Sequence, residues 1–169
     1  MTVLITQKDW EALPEGAPYE LHDGMLVKQP SPRFGHQRVQ ALLLRRLWDA
    51  LGADGRIVAG PVDVLVDQIT VLVPDVVVLD EAPDDDARYV GVPRAVFEVL
   101  SPSTEARDRD FKCRRLLGLG VREVWLVSPR GPEVTRVTTD GARTALPDER
   151  LRSDAMPGFT LSPRDLLYP

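Results

Sequence analysis

Two apolar runs, each interrupted by one carboxylate, constrain this chain more than any other feature. Val71-Leu-Val-Pro-Asp-Val-Val-Val-Leu79 carries Asp75, and Ala95-Val-Phe-Glu-Val-Leu100 carries Glu98. Both runs are short, β-branched and apolar at nearly every position, which predicts buried strands. A carboxylate in such a strand is costly unless it is paired, hydrogen-bonded or on a metal. Two readings are open from these runs alone. Each acid can sit solvated at a strand end, or the two can share a hard cation, because oxygen ligands suit Mg²⁺.

The 169 residues, 43% hydrophobic and 28% charged, predict one soluble α/β domain over 1–169, its core at about 19–138. No run approaches the ~20 apolar residues of a membrane helix. Met1-Thr-Val-Leu-Ile5 has neither a basic start nor a long apolar core, so no signal peptide is expected. The single cysteine, Cys113, excludes an internal disulfide and fits a reducing cytoplasm. One Cys and two His are too few soft and imidazole ligands for zinc. The net charge of −5 argues against a protein that coats nucleic acid by charge alone. The charges are nonetheless segregated. Asp80, Glu81, Asp84, Asp85 and Asp86 form an acidic loop, and Arg107, Arg109, Lys112, Arg114, Arg115 and Arg122 form a basic stretch.

Along the chain, Thr6 and Asp9 predict a capped short helix over residues 6–13. Asp23-Gly24 between Tyr19-Glu-Leu21 and Met25-Leu-Val27 predicts a hairpin, with Glu20 facing away from Leu21. Apolar spacing predicts a helix from Phe34 to about Leu51, with His36 on its inward stripe. Arg56–Ala59 and Val62–Asp67 read as strands, the second folding back antiparallel onto Val73–Leu79. Pro74 there marks a strand start or bulge, a place where side chains are re-aimed. Ala95–Leu100, a helix from Glu105 to Leu119 capped by Ser103 or Thr104, and Val121–Val127 form a βαβ unit with parallel strands. Residues 132–138 and 142–146 read as peripheral strands. Pro157–Thr160 reads as a loop, and Ser162-Pro163 starts a last helix ending at Leu167.

The order Glu20, Pro74-Asp75, Glu98, Lys112 is that of the PD-(D/E)XK nuclease superfamily. More narrowly, the chain resembles the Uma-two family of restriction-endonuclease-like proteins. The resembling residues are Tyr19–Gly24, Pro30-Ser-Pro32 with His36, Pro61–Val64 and Pro74-Asp75. They continue with Phe97–Thr104, Asp108-Arg109 with Lys112, Gly120-Val121 and Glu123 with Trp125–Val127.

The resemblance implies a restriction-endonuclease-like core, a mixed central β-sheet flanked by helices. It implies Mg²⁺-dependent cleavage of phosphodiesters, in DNA, with Mn²⁺ as a substitute cation. Asp75 and Glu98 would hold the metal with the Val99 carbonyl. Lys112 would orient the attacking water, Glu20 would reach the metal water or a second cation, and His36 would contact phosphate or transfer a proton. The superfamily lysine two residues after the second acid is Leu100 here, and Lys112 on the next helix takes its place. The chain also departs from the family pattern at Leu116, where a tyrosine is expected nearby, at Val124, where an aromatic is expected, and at Ser128, where an acid is expected. None of these is a metal ligand. A homodimer is the expected assembly for cutting two strands. The alternative is a non-catalytic nucleic-acid-binding or protein-interaction module that keeps the nuclease fold.

Overall fold

The apolar run from Val71 to Leu79 is not one strand but two, lying in different sheets. The computed structural model describes residues 4–14, 16–54, 56–102, 105–131 and 133–166. In it a short helix α1 (Gln7–Glu11) precedes the hairpin β1 (Tyr19–His22) and β2 (Met25–Lys28). The long helix α2 (Phe34–Leu51) and the strands β3 (Ile57–Ala59), β4 (Val64–Asp67), β5 (Thr70–Leu72) and β6 (Val76–Val78) follow. Strand β5 closes a four-stranded antiparallel sheet of order β2-β1-β5-β4, whereas β6 belongs to the main sheet. This corrects the expectation that Val73–Leu79 pairs as one strand with Val62–Asp67.

The physical cause is Pro74, which cannot donate to a ladder. Its neighbours send their polar groups elsewhere. The Val73 N–H donates to Glu20 Oε1 at 2.8 Å. The Asp75 carbonyl accepts from the Gly60 N–H and from Gln40 Nε2, both at 2.7 Å. A Cβ on Gly60 would stand 2.3 Å from the Pro74 carbonyl oxygen, so only glycine permits this approach.

The main sheet takes in β7 (Ala95–Val99), β8 (Glu123–Ser128), β9 (Glu133–Thr138) and β10 (Gly141–Thr144), in the order β10-β9-β8-β7-β6-β3. Its one parallel pair is β7 with β8, registered Ala95 to Glu123 and Val99 to Val127, as the βαβ pattern predicts. Every other pair is antiparallel, so the sheet is mixed.

Strand alternation gives the sheet two apolar faces. On one, Val76, Val78, Ala95, Phe97, Val99, Trp125 and Val127 pack against Val39, Leu43 and Leu47 of α2. On the other, Val77, Val96, Leu100, Val124 and Leu126 meet Cys113 and Leu116. Glu98 has the same parity as Val96 and Leu100, so it points to this second face. Cys113 is buried there as a packing residue.

The helix predicted over Glu105–Leu119 is interrupted. A single turn, α3 (Glu105–Arg107), runs into a π-helical turn at Asp108–Lys112 before α4 (Cys113–Leu119) resumes ordinary geometry. Gly120 ends it in the left-handed conformation at φ 111°. The cap assigned to Ser103 or Thr104 lies outside the described residues.

Other local expectations hold. Thr6 and Asp9 make a reciprocal capping box on α1. Asp23 and Gly24 both take positive φ, 48° and 80°, as a type I′ hairpin turn requires. Residues 151–161 are richer than the expected loop. They form a ribbon of β11 (Leu151–Arg152) and β12 (Thr160–Leu161), which seats Met156 and Phe159 in the core. Phe159 meets Phe97 and Trp125 edge-on, at 5.6 and 5.7 Å between ring centroids. A 3₁₀ turn at Pro163–Leu166 follows, and Leu167 lies outside the described residues. Among the described residues, no helix is long and apolar enough to cross a membrane.

Candidate active site

The split at Pro74 places Asp75 at the end of the main sheet, where three elements reach it. Its Oδ2 accepts the Val99 N–H at 2.6 Å, tying it to the end of β7. Its Oδ1 lies 3.2 Å from Nε2 of His36, in the first turn of α2. Gln40, one helical turn further on, holds the Asp75 backbone as described above. The Asp75 side chain keeps 23% of its surface exposed, so this end of the site is open to solvent.

Behind it lies a buried charge cluster. Lys112 Nζ stands 2.9 Å from Glu20 Oε1 and 2.7 Å from Glu98 Oε1. All three side chains are almost wholly removed from water. Lys112 closes the π turn, and with Asp108, four residues earlier, it faces the sheet, whereas Arg109 and Asp110 stay half-buried or at the surface.

The two glutamates are held differently. Burial alone would raise the Glu20 carboxyl, but Lys112, the His22 ring and the Val73 N–H outweigh it and bring it down to about 2. Glu20 Oε2 accepts from His22 Nε2 at 2.7 Å and from Gln29 Nε2 at 2.8 Å. Both its oxygens are therefore occupied. For Glu98, burial dominates, and despite Lys112 the neighbouring Asp75, Asp108 and Glu20 help to push the carboxyl well above its ordinary range. Lys112 lies close to Glu98 Oε1 but off the line that a hydrogen bond requires, so that oxygen is paired in charge without being hydrogen-bonded. Burial alone would favour the neutral amine of Lys112, but Glu20 and Glu98 raise its pKa well above the usual lysine value and keep it protonated.

The structure thus gathers all five side chains named from the sequence, Glu20, His36, Asp75, Glu98 and Lys112, on one end of the main sheet. Val99 joins them through its N–H. Among the described residues, no three His, Cys, Asp or Glu side chains form a ready-made metal cage. Lys112 fills the space between the two glutamates.

Sequence reasoning missed the residues that hold these in place. His22 binds Glu20 and stacks on Phe111 at 4.4 Å between ring centroids. It lies within the resembling run Tyr19–Gly24 and shares parity with Glu20 on β1, but neither signal gave it a role. Gln29 and Gln40 carried no signal beyond their places beside the strand and on the inward stripe of α2. Asp108 is buried next to the cluster, and Cys113 Sγ donates to its backbone carbonyl at 3.1 Å.

A mixed sheet with helices on both faces, and a carboxylate pair beside a lysine at one sheet end, defines a restriction-endonuclease-like α/β protein. The chain belongs to the Uma2 (Uma-two) family, described as "Putative restriction endonuclease", whose model matches residues 7–164. A solved structure described as a putative nuclease belonging to DUF820, from Anabaena variabilis, has the same fold. It superposes with a TM-score of 0.81 over 96% of this chain and 97% of that one, at 21% identity. No curated protein matches the chain.

Proposed function

We propose that the protein is a divalent-metal-dependent endonuclease that hydrolyses phosphodiester bonds in DNA. The observation that carries this reading is the meeting of Asp75 and Glu98, from separate elements, beside one buried lysine. The donor set fits a hard cation. Ionised Glu98 needs more positive charge than Lys112 gives it, its Oε1 lacks a hydrogen bond, and Asp75 opens to solvent. Asp75 and Glu98, with the Val99 carbonyl, would hold Mg²⁺ or Mn²⁺, which when bound supplies Lewis acidity at the phosphate and an acidified water.

The protein's own groups do the rest. Lys112 points its ammonium donors at the same spot, where they orient water and stabilise developing negative charge. Glu20 has no free oxygen, so it acts through Lys112 as a positioning residue. His36 fixes the Asp75 carboxylate from α2. Cutting both strands of a duplex calls for two such sites, which a two-fold dimer supplies.

A second reading is a non-catalytic nucleic-acid-binding or interaction module. It is favoured by one observation: Lys112 already neutralises Glu98 at 2.7 Å. Calorimetric titration with Mg²⁺ and Mn²⁺, on wild type and Asp75→Asn, separates the two. The expected result is binding by the wild type alone, with plasmid DNA cut only by the wild type. A wild type that binds no metal, with or without DNA, leaves the second reading.

A further inference from the structure

A cleft of about 550 Å³ opens beside the charge cluster, lined by Pro18, Lys28, Gln29, Pro30, Ser31 and Arg107. The same Gln29 donates its side-chain N–H to Glu20, so the cleft and the cluster share a wall. Two prolines and the Gln29 N–H bond to the Pro18 carbonyl, at 2.8 Å, make that wall stiff. Its size is that of a small-ligand pocket, where a nucleotide unit fits.

The charges in the cleft all have one sign. Among the described residues, Lys28 and Arg107 line it and no carboxylate does. This is unusual in a chain with more acids than bases, where most of the arginines are paired. Arg107 Nη1 is shielded from water and has no hydrogen-bond acceptor. The guanidinium lines the cleft without being committed to a carboxylate among the described residues, which leaves its charge for an anion there. A guanidinium fork matches the two free oxygens of a phosphodiester. Arg107 also lies immediately before the π turn that carries Lys112, and Gln29 on the cleft wall bonds Glu20, so the cleft adjoins the cluster.

We infer that this cleft is a phosphate subsite that takes the nucleic-acid backbone beside the scissile bond, with Arg107 and Lys28 as its cations. The inference rests on the nuclease reading and adds to it where the strand lies. The strand enters across Pro30-Ser31, its phosphate bound by Arg107 and Lys28, and runs on toward Asp75. Ser31 offers a hydroxyl donor at the rim.

The test is binding of a labelled DNA duplex, by fluorescence anisotropy, in EDTA and again in Mg²⁺. It compares wild type, Arg107→Ala, Arg107→Lys, Lys28→Ala and, as a charge-matched control on β10, Arg143→Ala. Thermal unfolding of each variant shows that it is folded. Arg107→Ala and Lys28→Ala are expected to weaken binding about tenfold, and each to lower the salt dependence by about one ion. Arg107→Lys should fall between wild type and Arg107→Ala, and Arg143→Ala should match the wild type. If the wild type binds and the two cleft variants bind as Arg143→Ala does, the subsite is overturned and the nuclease reading stands. If the wild type binds no DNA in either condition, the nuclease reading fails, and the subsite with it.

Discussion

Glu20 and Glu98 share one ammonium, that of Lys112, yet their surroundings drive their acidity in opposite directions. Glu20 has three hydrogen-bond donors besides the lysine, and Glu98 Oε1 has none. The pair therefore joins one firmly held carboxylate to one whose negative charge is opposed by burial.

This asymmetry predicts unequal substitutions. Glu20→Gln should destabilise the metal-free protein by about 3–5 kcal/mol, because it strips Lys112 of its firm partner inside the core. Glu98→Gln should change stability by no more than ~1 kcal/mol, or raise it, since it removes a charge that burial opposes. Urea unfolding in EDTA measures both, and the opposite ranking would reject this account of the cluster.

Acid should reveal the same anchor. The Glu20 carboxyl is lowered from 4.5 to about 2 in the folded protein. A depressed carboxyl gives stability that is complete above its unfolded value and is lost as pH falls toward the folded one. Wild type should therefore lose stability between about pH 4.5 and 2, and Glu20→Gln should lose visibly less over that window. Identical slopes in the two proteins would count against the shift.

Lys112→Ala should separate turnover from metal binding. Loss of a donor aimed at developing charge is expected to slow DNA cleavage by roughly 10²–10³-fold. Mg²⁺ affinity should be kept or tightened, because Glu98 loses its competing cation. Calorimetry showing that Mg²⁺ binding collapses would rule out the role assigned to the lysine.

Gly60 offers a test that touches no acid. A Cβ there meets the Pro74 carbonyl at 2.3 Å, so Gly60→Ala must push the Pro74-Asp75 junction. The expected cost is about 1–3 kcal/mol, with a loss of cleavage out of proportion to it as Asp75 leaves its place. Thermal unfolding and plasmid cleavage check the two effects together.

Much of this site was legible because a lone carboxylate in an apolar run is an anomaly that demands a partner. Asp75 and Glu98 stood out in that way, and the fold around them followed from plain alternation in β6, β7 and β8. The Val71–Leu79 run misled at Pro74, because composition does not say whether a proline bends a strand or passes it to another sheet. Here Glu20, Gly60 and Gln40, all distant in sequence, decide the matter. The π turn had no signature, since Leu116 and Cys113 satisfy an ordinary helical face. The C-terminal ribbon was missed because Met156 and Phe159 are isolated apolar residues with no period. What holds the ribbon is Glu123, which accepts from Ser153 Oγ and the Asp154 N–H at 2.6 and 2.8 Å across the sheet edge.

The π turn at Asp108–Lys112 also bears on how such a site can change over time. A π turn in an otherwise ordinary helix is equivalent to one inserted residue, and one residue turns an α-helix by about 100°. The turn absorbs that extra residue locally, so Cys113 and Leu116 of α4 stay on the sheet while Lys112, at the junction, meets Glu20 and Glu98. The cation of the cluster is thus held by a helix segment whose winding can take up or shed one residue, whereas the acids are pinned by strands whose pairing cannot. A change of one residue in length is therefore tolerated before Lys112 and not within β1 or β7, where it would turn Glu20 or Glu98 to the opposite face.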